Sequence, residues 1–189
     1  MTRETAIRID RAKVGDALGI ARVHVASWRS SYAGILPNDY LAGMSVKQHM
    51  GHWALSLRER GSFGIFTAKD ARGNVVGFGS CDRSRRRGRD RLGFDGEVQT
   101  LYVADDWRNL GIGRALMAVM AEHLQGHGCG SAMVWVLRDN PGRWFYEALG
   151  AQPKAEDPIV IAGQPLVQIG YGWPSIDILI DRATARRDE

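Results

Sequence analysis

The stretch Glu97–Gln125, EVQTLYVADDWRNLGIGRALMAVMAEHLQ, decides how the rest of the chain is read. Val98–Val103 is rich in β-branched and aromatic residues and predicts a strand. Past Asn109 the pattern changes to a helical period, with Ile112, Leu116, Val119, Met120 and Leu124 on one stripe. Between the two lies Arg108-Asn109-Leu110-Gly111-Ile112-Gly113. Glycine lets a backbone bend sharply and bring its amides close to a bulky ligand. At a helix N-terminus those amides lack partners and carry partial positive charge. A phosphate or pyrophosphate suits such a corner, and Arg108 and Arg114 add full charges to it. A helix that merely begins with glycines is the plainer alternative. Two common phosphate motifs are excluded: no Gly-Lys-Ser/Thr follows, and a dinucleotide fingerprint wants Gly or Ala where Leu116 stands.

Working outward, 189 residues suit one domain able to bury about 70% of its unfolded surface. The balance of 44% hydrophobic and 24% charged residues is that of an ordinary soluble globule. No apolar run nears the roughly 20 residues of a membrane span, and the N-terminal MTRETAIRID has no signal-peptide core. Cys81 and Cys129, the only cysteines, give neither a disulfide framework nor a zinc spacing, so a reducing cytoplasm is expected. His24, His49, His52, His123 and His127 form no metal spacing either, and no metal is expected. Much of the +4 net charge sits in Arg83-Ser84-Arg85-Arg86-Arg87-Gly88-Arg89. That run lacks interleaved aromatics to stack on bases and reads as a solvated loop, which disfavours nucleic acid as a partner.

Upstream, Ala6–Asp10 predicts a strand and Asp16–Ser27 a helix, with Ile20, Val23 and Ala26 or Trp28 facing inward. A short helical turn falls at Asp39–Gly43, and Ser45 is a good N-cap for a helix Val46–Arg60 stopped by Gly61. Phe63–Ala68 and Val75–Cys81 read as a hairpin. Downstream, the apolar run Ser131–Leu137 suits a strand covered on both faces and parallel to Val98–Val103. Asn140-Pro141 looks like a cap and first position of a helix Gly142–Leu149. Short strands are expected near Ile159–Ile161 and Leu166–Trp173. The division expected is one domain over 1–173 and a tail, 174–189, that is a peripheral helix or frayed.

The turn Arg108-Asn109-Leu110-Gly111-Ile112-Gly113 resembles the Gln/Arg-x-x-Gly-x-Gly/Ala signature of the GCN5-related N-acetyltransferases (GNAT). A second signature of that family, Asn-x-x-Ala-x-x-Phe-Tyr-x-x-x-Gly-Phe, is similar to Asn140–Ala151, with Arg143 in place of the usual Ala and Ala151 in place of the Phe. The two lie in register, and the N-terminal SWRSSYAGILPNDYL is similar to the first-helix region of small-molecule members. The resemblance implies an α/β (α+β) GNAT fold: a mixed central sheet of about six to seven strands, splayed at its central parallel pair and flanked by about four helices. It implies transfer of an acetyl group from acetyl-CoA, a co-substrate, to a primary amine, directly within a ternary complex. The acceptor expected is a small molecule. A protein or peptide N-terminus, or a non-catalytic acyl-CoA-binding module, stays open beside it, and homodimers are common in the family.

The same resemblance assigns candidate residues. Leu101, Tyr102 and Val103 would flank the thioester arm, with backbone hydrogen bonds from Leu101 and Val103. Arg108, Asn109, Leu110, Gly111, Ile112, Gly113 and Arg114 would hold the pyrophosphate, and Asn140 and Arg143 would touch the cofactor from the other side. An alkylamine titrates near 10 and is mostly ammonium at neutral pH, so a base must take its proton. Glu97 is the candidate, acting through water, with Asp95 as fallback. Tyr146, protonated at neutral pH, is the candidate donor to the departing thiolate. Trp28 and Tyr32 are candidate lining of the acceptor pocket, although six tryptophans in one domain more often signal core packing.

Overall fold

The computed structural model of the protein describes residues 6–59, 61–84 and 92–185. In chain order the elements are β1 (Arg8–Arg11), α1 (Ala17–Ser31), α2 (Asn38–Gly43), α3 (Val46–Ser56), β2 (Gly64–Lys69), β3 (Val75–Arg83), β4 (Gly96–Val103), α4 (Ile112–Gly126), β5 (Ala132–Leu137), α5 (Arg143–Ala148), β6 (Gln152–Ile161), β7 (Gln164–Trp173) and α6 (Ile176–Thr184). Among the described residues seven strands form one sheet in the order β1-β2-β3-β4-β5-β7-β6. Neighbours are antiparallel except the central pair, β4 and β5. The strand–turn–helix read from Glu97–Gln125 is thus β4, the turn and α4, at the middle of the sheet.

The sheet is covered on both faces. On one, α4 sends Met117, Met120 and Leu124 onto Val98 and Cys81, all at most 1% exposed. The close fit needs Gly79 in β3, where a Cβ would stand 2.7 Å from the Met120 methyl. On the other face Ile20 of α1 and Trp53 of α3 enclose Phe78. The α1 stripe runs Ile20, Val23, Ser27; of the two residues expected to continue it, Ala26 is exposed, whereas Trp28 is half-buried against the cluster of Val25, Leu36 and Leu41. Ser45 caps α3, accepting a hydrogen bond from the Gln48 amide (3.4 Å), but α3 ends at Ser56, earlier than Gly61 suggested. Asp16 stands at the start of α1 as expected and adds an ion pair to Lys69 (2.7 Å).

Larger departures lie at the C-terminal end. The two short strands expected there are ten residues each, a long hairpin with β6 at the sheet edge. Its turn places Ala162 and Gly163 at φ of 50° and 77°, the doubly left-handed geometry of a tight hairpin. Within the tail, α6 is capped by Ser175 and packs on α4, with Ile176, Leu179 and Ala183 at most 5% exposed. Among the described residues six α-helices flank the sheet, against about four expected, the additions being α2 and α6. No helix there is long and apolar enough to cross a membrane. Of the arginine run, Arg85, Arg86, Arg87 and Arg89 lie outside the described residues, and so does the solvated loop expected of them.

Leu179→Ala should cost about 2–5 kcal/mol in a urea melt, the range for emptying a filled core site. A loss under about 0.5 kcal/mol would show that α6 is only laid against the surface.

Candidate active site

Strands β4 and β5 pair only through Gly96↔Ala132, Glu97↔Met133 and Val98↔Val134. Beyond Val98, β4 follows β3 as far as Val103 while β5 follows β7 as far as Leu137. A β-bulge marks the point of separation: Cys81 faces Val98 and Ser80 faces Thr100, which leaves Gln99 as the extra residue. Bulges bend a strand and break its pairing. The result is a cleft of about 860 Å³, walled by Gln99–Val103 of β4, Val134–Val136 of β5, the turn 107–114, and Tyr146.

At its floor, α4 begins at Ile112 with Gly111 as N-cap and no side-chain cap. Its first amides are therefore left to whatever occupies the cleft. Gly111 is left-handed, at φ 80°, and a Cβ there would meet nothing within 4 Å. The glycine is thus required by backbone conformation, and it leaves the space beside the amides open. Asn109 is left-handed too, at φ 62°, a conformation asparagine tolerates better than most residues. At Gly113 a Cβ would stand in ordinary contact with the Phe145 ring, at 3.4 Å. Leu110 is 58% exposed at the tip of the turn.

The two arginines of this corner line the cleft but are occupied. Arg108 pairs with Asp105 (2.7 Å), and donates to Ser31 Oγ (3.0 Å) and Ser30 Oγ (3.3 Å), tying the turn to the end of α1. Arg114 donates to the carbonyls of Arg182 (2.6 Å) and Ala185 (3.3 Å), closing the C-terminal end of α6. Arg143 is not among the cleft-lining residues; its guanidinium lies 3.9 Å over the Trp144 ring. Asn140 does line the cleft, but as the acceptor of a turn rather than the helix cap. Its Oδ1 takes the Gly142 amide (2.8 Å), and α5 starts only at Arg143 with Gly142 as N-cap.

Tyr146 sits on α5, 9% exposed, with its ring against Phe145 and Trp173 and its surface in the cleft. Burial, and then the neighbouring Tyr32 hydroxyl, push its phenol well above the ordinary value near 10. Tyr32 also lines the cleft, beside the Tyr102 hydroxyl and the Asn140 side chain. Trp28 borders neither this cleft nor the second cavity described next; its indole N–H donates to the Tyr102 hydroxyl (2.9 Å) and holds that ring in place.

A second cavity, of about 580 Å³, opens on the α1–α3 side of β4 and includes Glu97, Asp82, Glu59, His24 and Trp53 in its wall. Gln99 and Thr100 belong to both walls. Glu97 lies directly opposite Asp82 in the β3–β4 register, so two carboxylates share one face of the ladder. Asp82 also accepts from Ser62 Oγ (2.5 Å). Asp95 is not part of this wall: its carboxylate accepts the Gly130 amide (3.0 Å) and the Ser131 hydroxyl (3.1 Å). His24 accepts from the Trp53 indole at Nδ1 (3.1 Å), which leaves the ring proton on Nε2. Burial first, then the nearby His49 and His52, lower its pKa from 6.5 to about 4. Sequence reading missed Asp82, His24 and Ser27 as wall residues. Only the hairpin register could have pointed to Asp82, and no local signal marks the other two.

Comparison with known proteins agrees with this geometry. The model of the acetyltransferase (GNAT) family matches residues 25–151, which takes in the splayed pair, the glycine turn and α5. The chain belongs to that family and is an acetyl-CoA-dependent N-acetyltransferase. It is 39% identical over 173 residues to the uncharacterised N-acetyltransferase YuaI of Bacillus subtilis (strain 168), covering 92% of this chain and 96% of that one. An N-acetyltransferase of Archaeoglobus fulgidus is 32% identical over 141 residues, 74% of this chain and 89% of its own. Among solved structures, the PaiA N-acetyltransferase of Thermoplasma acidophilum in complex with coenzyme A superposes with a TM-score of 0.69 at 18% identity, covering 87% of this chain and 98% of its own. For yncA of Salmonella typhimurium with its cofactor acetyl-CoA the TM-score is 0.68 at 18% identity, over 92% and 95% of the two chains. These last two likenesses speak for the fold.

A histidine held below its unfolded pKa binds fewer protons folded than unfolded, so its contribution to stability falls as pH drops from 6.5 toward about 4. His24→Phe should therefore lose less stability than the wild type between pH 7 and pH 4.5 in parallel urea melts. Equal losses would assign the acid sensitivity to other groups.

Proposed function

We propose that the enzyme acetylates a small primary amine by direct transfer in a ternary complex, with the cofactor in the larger cleft and the amine in the smaller cavity. The observation that supports this reading is the shared wall: Gln99 and Thr100 border both spaces, so the cleft and the cavity approach one another at the same point of β4, where direct transfer would have to take place. The cleft fits the cofactor in its uncapped α4 amides, the open space at Gly111, and the run of β4 without a strand partner on its β5 side. Acetyl-CoA supplies an acyl carbon activated as a thioester. Leu101 and Val103 would present backbone groups to the arm, and the amides around Gly111–Gly113 would hold the pyrophosphate. With both arginine side chains engaged, the helix terminus rather than free guanidinium carries the anion recognition.

The amine enters mostly as ammonium. Glu97, with Asp82 opposite it, supports binding of that cation, and Glu97 is the proposed base, through water. The nitrogen–carbon bond then forms as the carbon–sulfur bond breaks. Tyr146 Oη, whose raised pKa keeps its proton in place over the working pH range, supplies the proton that leaves coenzyme A as a thiol. The second proton of the attacking nitrogen is released as the amide forms and returns through water to the Tyr146 phenolate, while Glu97 passes the first to solvent.

Two outcomes check the reading. Acetyl-CoA at a hundredfold excess over its Kd should add about 2.7 kcal/mol of stability, a rise of about 5–10 °C in Tm. No rise would remove the cofactor cleft from the account. Tyr146→Phe should lower kcat by about 10²-fold or more, with acetyl-CoA affinity within about twofold of wild type. An unchanged kcat, read as free thiol over a panel of amines, amino acids and short peptides, would rule out Tyr146 as the proton donor.

A further inference from the structure

Two residues, Gln99 and Thr100, belong to the walls of both spaces. Their polar groups are in different states. Thr100 Oγ1 shares a hydrogen bond with Ser80 Oγ, at 2.7 Å. Gln99 is the one exposed residue of β4, and its carboxamide makes no hydrogen bond to a described residue. The bulge accounts for this. Val98 and Leu101 both pack into the core beneath α4, whereas Glu97 and Thr100 face the smaller cavity. Regular alternation would put residues three apart on opposite faces. Gln99 is the residue that falls out of the alternation, and neither layer of helices covers it. Bulges beside active sites re-aim a side chain in this way.

The course of the cofactor decides what reaches this side chain. In the reading above the pyrophosphate sits at the start of α4, past the Val103 end of β4, and the arm runs back along Val103 and Leu101. Continuing that way, the acyl end arrives at Gln99, just short of Val98↔Val134, where β5 closes on β4. Attack by the amine drives negative charge onto the thioester carbonyl oxygen, which a fixed N–H donor stabilises. Glu97 and Asp82 are carboxylates and only accept, and the Thr100 hydroxyl is engaged. A glutamine carboxamide carries two N–H donors.

We propose that Gln99 is a further catalytic residue whose side-chain Nε2 donates a hydrogen bond to the thioester carbonyl oxygen of bound acetyl-CoA. The proposal rests on the cofactor assignment above. The bond holds the carbonyl at the point of β4 that borders both spaces, with its carbon presented to the amine. It also distinguishes acetyl-CoA from free coenzyme A, so the product leaves more readily than the substrate.

The test compares wild type with Gln99→Met, which keeps the side-chain length without the amide, and Gln99→Glu, which keeps an oxygen but has no N–H. Calorimetric affinities are measured for acetyl-CoA, coenzyme A and S-ethyl-coenzyme A, a thioether of the same chain length without the carbonyl. Wild type should prefer acetyl-CoA over S-ethyl-coenzyme A by about 3- to 10-fold, and both variants should lose that preference. Gln99→Met should keep coenzyme A affinity within about twofold and melt with wild type, since the residue is exposed. In infrared spectra of bound, carbonyl-labelled acetyl-CoA the thioester stretch should move to higher wavenumber in both variants. On an amine that wild type acetylates, Gln99→Met should lower kcat by about 10²-fold. A preference that survives in either variant, an unshifted stretch, an unchanged kcat, or an equal fall in affinity of Gln99→Met for all three ligands overturns the proposal. If wild type binds none of them, the cofactor assignment fails first, and that result is distinct from the others.

Discussion

The parting of β4 from β5 after Val98 is the constraint on which the rest of the structure depends. Each strand keeps a full ladder on its outer side, with β3 in one case and β7 in the other. The central sheet can therefore open without dissolving. The bulge at Gln99 supplies the bend, and it does so where the wall must face two spaces at once. A regular β4 would continue pairing with β5, fill its own backbone groups, and leave neither a cleft nor exposed amides. The opening is affordable because the clusters on either side of it are dense: Met117, Met120 and Leu124 under the sheet, Ile20, Trp53 and Phe78 above it.

Charge is distributed in a way that residue types alone would not suggest. Arginines near a glycine turn invite the reading that they grip phosphate directly. Here Arg108 fastens the turn to Ser30, Ser31 and Asp105, and Arg114 collects the carbonyls at the end of α6. Both act on the shape of the corner and add a positive field to it, while the unpaired amides of α4 stay available. Fixed backbone donors lose no side-chain entropy when an anion arrives. Arg114 also makes α6 part of the same construction, so the C-terminal helix supports the turn from behind.

How much of this was legible depended on whether a signal was local. The β4–turn–α4 unit was, because its period switches from two to 3.6 at a pair of glycines, and so were β5 and the Tyr146 helix. The sequence signal for the β6–β7 hairpin is shorter than the hairpin itself. Pro153 and Pro158 and the polar run around Lys154 and Glu156 argue against a strand, yet on an edge strand proline is tolerated. Its turn uses Ala162 at positive φ, where asparagine or glycine would have announced it. Side chains that meet only through the tertiary fold left no trace in the sequence. Asp82 and Glu97 become neighbours through strand register, and His24 faces a cavity because α3 places Trp53 against it. Ser27 stands at the end of the predicted helix, and only the packing shows it turned inward.

The same packing arranges the titratable groups about one strand. Among those of the larger cleft are the phenols Tyr32, Tyr102 and Tyr146, and burial is the first cause that raises each of them, so they remain neutral. The wall of the smaller cavity carries Asp82 and Glu97 and an imidazole held neutral by burial. The two sets touch where the His24 ring stacks on Tyr102, 5.2 Å between centroids. A carboxylate in the phenol cluster would have to be desolvated without a partner. In the proposed direct transfer one proton is removed on one side of the reacting carbon and another delivered on the other. The alternation of β4 would serve both tasks: Glu97 and Thr100 face one set of neighbours and Val98 and Leu101 another, with Gln99 at the crossing.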